Sequence, residues 1–247
     1  MHRLLNCIIK KFRQTVSPQV GYNLWAATYD DQKFNLLTSL DAEILEALLV
    51  DLQPGNSIIA DIGCGTGRNW PLLNSFHPSQ LIGFDISQNM LRQLVAKFPD
   101  ADARLCTDHR LPQIPLAYFD SIISSLCLVY FKDLKPVFQE WDRVLKPGGS
   151  ILFTSNHPSA MKRGSRIAFN SGGKQIAIKH YHHSLNTIHE IADLHGLICT
   201  QFIERRVELS ARPVFEARNA LPSYELMLNQ PILYGIRFQK PIQSKMG

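Results

Sequence analysis

Ser57-Ile58-Ile59-Ala60-Asp61-Ile62-Gly63-Cys64-Gly65-Thr66-Gly67 carries a short apolar run straight into three glycines at alternate positions. The turn signal Pro54-Gly55-Asn56 precedes it, so the stretch reads as a buried strand opening into a glycine loop, with a helix starting at about Arg68. Glycines there let the backbone approach a bound nucleoside closely and tolerate φ > 0. A dinucleotide fingerprint starting at Gly63 would need glycine at position 68, where Arg68 stands, so a pyrophosphate cradle is disfavoured.

The next apolar run, Gln80-Leu81-Ile82-Gly83-Phe84-Asp85, ends in a carboxylate 18 residues beyond Gly67. At the carboxyl end of a strand it is placed to accept hydrogen bonds from both hydroxyls of a ribose. Asp61 adds a second negative charge beside the loop. Two anions suit a ligand with an ammonium and a sulfonium better than one with phosphates. Strands near 57–62, 80–85, 103–107, 119–125 and 150–155 alternate with helices near 68–76, 87–98 and 133–145, which predicts a mainly parallel, doubly wound sheet.

Taken together, these segments resemble the class I S-adenosylmethionine-dependent methyltransferases of the small-molecule type. Asp61 to Gly67 is similar to their first motif, Gly83-Phe84-Asp85-Ile86-Ser87-Gln88-Asn89-Met90-Leu91 to the second and Cys106-Thr107-Asp108 to the third. Phe119 to Ser125 is similar to the fourth, and Arg143-Val144-Leu145-Lys146-Pro147-Gly148-Gly149 to the segment before the fifth strand. The resemblance covers roughly residues 20–156. It implies an α/β, Rossmann-like, doubly wound seven-stranded sheet, mainly parallel, with an antiparallel C-terminal hairpin formed by strands near 197–209 and 232–238. It implies S-adenosylmethionine as cofactor, with Gly63, Gly65 and Gly67 cradling its methionine part and Asp85 on the ribose. Ile86 and Met90 would flank the adenine, Asp108 approach its amino group, and Ser125 and Leu126 line the cofactor near the methyl. Asp61 would orient the loop or meet the ammonium through water.

Tyr22, Trp25 and Tyr29 recur at i, i+3 and i+7, one helical face. Burial as plain core explains such a stripe; by resemblance, Tyr22 and Tyr29 cover the methionine end of the cofactor. A helix from Leu40 to Leu52 is expected to follow, with Asp41 as N-cap.

The chain has 247 residues, 45% hydrophobic and 19% charged, enough for one α/β domain with a sizeable core. No apolar run reaches the ~20 residues that span a bilayer. Cys7, Cys64, Cys106, Cys127 and Cys199 are odd in number and scattered, which argues against a disulfide framework or structural zinc and for a reducing compartment such as the cytoplasm. The net charge is +5, and the first 29 residues hold Arg3, Lys10, Lys11 and Arg13 but no acid. Residues 1–20 therefore read as a basic amphipathic segment, with helix packing, membrane-surface contact or a transit peptide as alternatives. Residues 21–247 form the expected methyltransferase domain, with irregular insertions at about 157–183 and 211–230.

In-line methyl transfer needs alignment and exclusion of water more than acid or base, and it needs no metal. Where the acceptor must lose a proton, histidine suits neutral pH. His157 follows a predicted strand and falls at the ligand end of the sheet, and His182 lies before a helix near 184–195; both are candidate catalytic residues, against an ordinary hydrogen-bonded turn role. His189-Glu190 lacks the second histidine of H-E-x-x-H, so no metal site is expected. A small-molecule acceptor is the expectation. The rivals are an RNA methyltransferase, disfavoured by so short a basic arm, and a cofactor-binding scaffold without transfer.

Overall fold

The computed structural model describes residues 14–31, 35–50 and 55–242. The basic stretch at 1–13, with Cys7, lies outside the described residues. In chain order the strands are β1 (Gln14–Val16), β2 (Ile58–Ile62), β3 (Gln80–Asp85), β4 (Asp102–Leu105), β5 (Phe119–Ser125), β6 (Leu145–Asn156), β7 (Ala168–Ser171), β8 (Lys174–Ile178), β9 (Ile198–Arg206) and β10 (Pro231–Gln239). Seven of them form one sheet in the order β4-β3-β2-β5-β6-β10-β9. The first five of these run parallel, and β10 pairs antiparallel with both β6 and β9. The fold is thus the doubly wound Rossmann-like sheet with its antiparallel C-terminal hairpin.

Both faces of the sheet are covered. On one face the helix Lys135–Val144 sets Val137, Phe138, Trp141 and Val144 against Phe153 and Phe238, all buried. On the other, the helix Leu36–Leu49 buries Asp41, Ile44, Leu45, Leu48 and Leu49, the i, i+3, i+4, i+7, i+8 stripe of a core-facing helix. Each fully buried Leu or Phe of these clusters stabilises the fold by roughly 1.5–3 kcal/mol. The helix comes so close to β10 that a Cβ on Gly235 would sit 2.3 Å from Ile44, which is why glycine stands there.

This second helix differs from expectation. It starts at Leu36, capped by the Asn35 side chain, which accepts from the Leu37 N–H at 3.2 Å. Asp41 lies in its interior, fully buried, because its carboxylate is needed at the sheet rather than at a helix end.

The two segments expected to be irregular are ordered. Residues 157–183 form the helix Pro158–Lys162 and a hairpin, β7 and β8, turned by Gly172-Gly173 with both φ positive. Val16 and its neighbours in β1 add to β8 in parallel, making a small three-stranded sheet. Phe169, Ile176 and Ile178 from this sheet pack with Val16 and Trp25; the Trp25 and Phe169 rings stack at 4.8 Å. The helix Pro18–Trp25, capped by Ser17, thus runs without a break across residues 20 and 21 and is clamped against the small sheet. Residues 211–230 contain the helices Arg212–Glu216 and Leu221–Met227, whose Phe215, Leu221, Tyr224 and Met227 cluster with Ala160 and Ile232.

Candidate functional site

β3 delivers Asp85 to the carboxyl edge of the sheet, beside the loop that leaves β2. One carboxylate oxygen accepts the Gly65 N–H at 2.8 Å and the other the Ser87 N–H at 2.8 Å. Each oxygen keeps a further lone pair for a ligand. Burial raises the pKa of this carboxyl, opposed by the hydrogen bonds from Ser87 and Gly65. Gly63 has φ +75°, and a Cβ on it would lie 2.5 Å from Cys127 Sγ, so only glycine lets the loop fold over that side chain. At Gly65 a Cβ would meet no atom within 4 Å, and the space beside the loop is open.

A cavity of about 370 Å³ occupies that space. Of the residues assigned to the cofactor, Gly63, Gly65, Asp85, Ile86, Met90, Asp108, Ser125, Leu126, Tyr22 and Tyr29 line it. Two do not. Gly67 packs behind the loop against Leu94 and Phe98. Asp61 is buried beneath the loop and accepts the Trp70 indole N–H at 3.0 Å; burial pushes its pKa up to about 7, with the Trp70 hydrogen bond acting the other way. It therefore braces the loop from below. Asp108 is partly exposed and held by Arg110 at 2.8 Å, which keeps its pKa below the usual carboxylate range.

The helix Pro18–Trp25 closes this cavity, and Asn23 explains how. Its side-chain oxygen accepts from Ser87 Oγ at 2.8 Å and from the Asn89 N–H at 3.0 Å, while its carbonyl accepts from Asn89 Nδ2 at 3.0 Å. These bonds pin the aromatic helix to the start of the helix Gln88–Lys97. Asp30 adds a second tie, accepting from Thr66 Oγ1 at 2.8 Å and pairing with Lys97 at 2.9 Å.

A second cavity, of about 510 Å³, lies on the far side of Tyr22, Tyr29, Leu126 and Tyr130, which line both. The Tyr22 and Tyr130 hydroxyls are 2.5 Å apart. Burial raises the pKa of all three tyrosines, so they stand as neutral phenols at physiological pH. Leu126 has φ +54°, a conformation costly for a non-glycine residue, and is held there by Thr154, whose carbonyl and Oγ1 both accept its N–H. The remaining walls come from the helix Leu36–Leu49, the segment after β6 and the two C-terminal helices, including Met161, Arg166, Phe215 and Met227.

Beneath the junction sits a buried ion pair. Asp41 accepts from Arg68 Nη2 at 2.5 Å, from Ser125 Oγ at 2.7 Å and from Thr154 Oγ1. Arg68 faces the second cavity and Ser125 the first, so one carboxylate fixes a wall residue of each. In the sequence pattern Arg68 serves only to exclude a dinucleotide loop, and Asp41 reads as a cap. The Asp41, Ile44, Leu45, Leu48 spacing is the signal that places Asp41 on the buried face.

Both histidine candidates lie elsewhere. His157 caps the helix Pro158–Lys162, its Nδ1 2.7 Å from Ser159 Oγ and its Nε2 3.2 Å from Glu204, and burial lowers its pKa. His182 is exposed, its ring edge-on to His180 at 5.5 Å. Neither lines either cavity. Proline at 158 holds His157 in the extended conformation of an N-cap, and its ring bridges Ser159 on its own helix and Glu204 on β9.

Residues 60–153 match the family described as the methyltransferase domain. A malonyl-acyl-carrier protein O-methyltransferase from Methylovorus sp. is 35% identical over 148 residues, 56% of this chain and 49% of that protein. The chain spans about half the length of the first curated relatives it matches. Among solved structures, an S-adenosylmethionine-dependent methyltransferase from Mesorhizobium loti superposes with a TM-score of 0.61 at 21% identity, over 82% of this chain and 99% of that one. The geranyl diphosphate C-methyltransferase of Streptomyces coelicolor, solved with Mg2+, geranyl diphosphate and S-adenosyl-L-homocysteine, gives 0.59 at 17%, over 82% and 78%. At these identities the superpositions establish the fold.

Proposed function

We propose, from the premise that this chain belongs to the class I S-adenosylmethionine-dependent methyltransferases, that it moves a methyl group from S-adenosylmethionine to a small-molecule acceptor. The observation that carries the reading is the pair of cavities separated by Tyr22, Tyr29, Leu126 and Tyr130. One has the acid and glycine loop of a nucleoside site; the other is enclosed by protein on several sides and sized for a small molecule. When bound, S-adenosylmethionine supplies an electrophilic methyl on a sulfonium. The spare lone pairs of Asp85 take the ribose hydroxyls, and the open space at Gly65 admits the backbone-hugging part of the nucleoside. Ile86 and Met90 flank the base, Asp108 reaches its edge, and Ser125 and Leu126 stand where the two cavities meet. The tyrosines then hold the reacting groups in line and keep water out, which accounts for most of the rate in such a displacement.

Among the described residues no helix is long and apolar enough to cross a membrane, and Cys64, Cys106, Cys127 and Cys199 are free thiols. The free thiols suit a reducing compartment such as the cytoplasm. The reading is tested by incubating the full chain with methyl-labelled S-adenosylmethionine and either total RNA or a metabolite extract. Label in small molecules is expected. Label in RNA supports the nucleic-acid rival, and cofactor binding without transfer supports a scaffold; either outcome contradicts the proposal.

A further inference from the structure

We infer that the acceptor is a carboxylate on an apolar body, methylated on oxygen to give a methyl ester; the inference rests on the methyl-transfer function proposed for the same site. The second cavity carries the guanidinium groups of Arg68 and Arg166. Its one carboxylate among the described residues, Asp30, is already held by Thr66 and Lys97. Arg68 is neutralised by Asp41, but Arg166 pairs with no carboxylate among the described residues and donates only to the Ser165 carbonyl, at 3.2 Å. It is exposed at the cavity wall, where an anion can reach its fork of N–H donors. Met161, Val214, Phe215, Met227 and Ile232 supply apolar surface in the same cavity. An ammonium acceptor would be repelled by Arg166, and a body without apolar surface would leave these walls unmatched.

Among the described residues no histidine, cysteine or lysine lines this cavity, its one carboxylate, Asp30, is engaged by Thr66 Oγ1 and charge-paired with Lys97, and the phenols on the shared wall are too weakly acidic to act as tyrosinate bases. Alcohols, phenols and ammonium groups must shed a proton to become good nucleophiles. A carboxylate is ionised at neutral pH and needs no base. In the step, a lone pair of the carboxylate oxygen forms the C–O bond to the methyl carbon as the C–S bond breaks. The bonding pair returns to sulfur, giving a neutral ester and a neutral thioether with no proton moved. The histidines outside the cavity then have no part to play.

The test uses the full chain with methyl-labelled S-adenosylmethionine and a panel of hexanoate, octanoate, decanoate and cinnamate, beside octylamine, octanol and para-butylphenol. Binding of the cofactor is measured first by calorimetry, so that loss of the general reading is seen separately as loss of cofactor binding. With binding intact, transfer to carboxylates that releases labelled methanol on mild alkaline hydrolysis is expected. In Arg166→Gln the KM for the best carboxylate should rise about tenfold, with the effect on KM rather than kcat, and Arg166→Lys should recover part of it. Cofactor affinity should not change in either variant. Alkali-stable label in the amine, alcohol or phenol, or no transfer to any carboxylate by protein that binds the cofactor, overturns the inference, as does an Arg166→Gln variant with unaltered KM.

Discussion

The loop side of the molecule, from β2 to β5, and the cap side, built by the segments before β2 and after β6, make their cavities by different means. On the loop side, backbone does the work: Gly63 carries the chain past Cys127, and two N–H groups hold Asp85. Few side chains could be exchanged there. On the cap side, the wall is a collection of side chains from five helices and a small sheet, held by contacts between residues far apart in the chain, such as Tyr22 with Tyr130 and Trp25 with Phe169. A site built from backbone tolerates little substitution. A site built from side chains can be rebuilt for a new acceptor without touching the first.

Asp41→Ala gives the most forceful test of that division, because Asp41 serves both sides. Removing it leaves the partly buried Arg68 guanidinium without its carboxylate, and Ser125 and Thr154 without their shared acceptor, and a loss of about 2–4 kcal/mol in urea-unfolding free energy is expected. An effect below about 1 kcal/mol would mean the two sides are not joined there. Gly63→Ala comes next and confines damage to the loop side: a Cβ beside Cys127, at a positive φ, should weaken cofactor binding about a hundredfold while stability falls by only about 1–3 kcal/mol. Gly63→Ala with Cys127→Gly should recover part of the affinity, since both the Sγ and the Cβ of Cys127 crowd the new methyl and only glycine removes both.

Asp61 sharpens the comparison through pH. Its folded-state pKa of about 7 lies above that of the same group in the unfolded chain, about 3.9, so the native state keeps a proton that the unfolded chain has lost. Stability from this group is full below about pH 4 and falls as pH rises towards 7. Between roughly pH 5 and 8 the fall should be about 2.5 kcal/mol, and Asp61→Asn should remove it. A slope unchanged in that variant would show that Asp61 is ionised under the loop. The smallest effect is expected on the cap side. Tyr22→Phe leaves the Tyr130 hydroxyl without its partner and should cost about 1 kcal/mol of stability while cofactor affinity stays within severalfold.

The same contrast governs how far the amino-acid sequence alone is legible. The glycine loop, Asp85 and Ser87 are local: strand end, turn and N-cap follow one another in the chain, so the residues they carry meet at one cavity. The cap depends on contacts between distant residues. His157 reads as a base because it follows a strand, yet the adjacent Pro158 makes it a helix cap, a choice settled by two backbone torsions. The β7 and β8 hairpin does have a local signal in Gly172-Gly173 flanked by alternating apolar residues. What its neighbours conceal is that it pairs with β1, more than 150 residues earlier in the chain. Asp41 lies on a visible apolar stripe, but only the sheet behind it explains a charge there.

The central claim is that Asp85 and the glycine loop grip S-adenosylmethionine. Titration calorimetry of the cofactor into wild-type protein and into Asp85→Ala, each checked for folding by circular dichroism, tests it most directly. The account predicts micromolar binding for the wild type and a loss of about a hundredfold or more for a variant that stays folded. Equal affinity in both proteins, or uptake of a pyridine dinucleotide in place of S-adenosylmethionine, would contradict it.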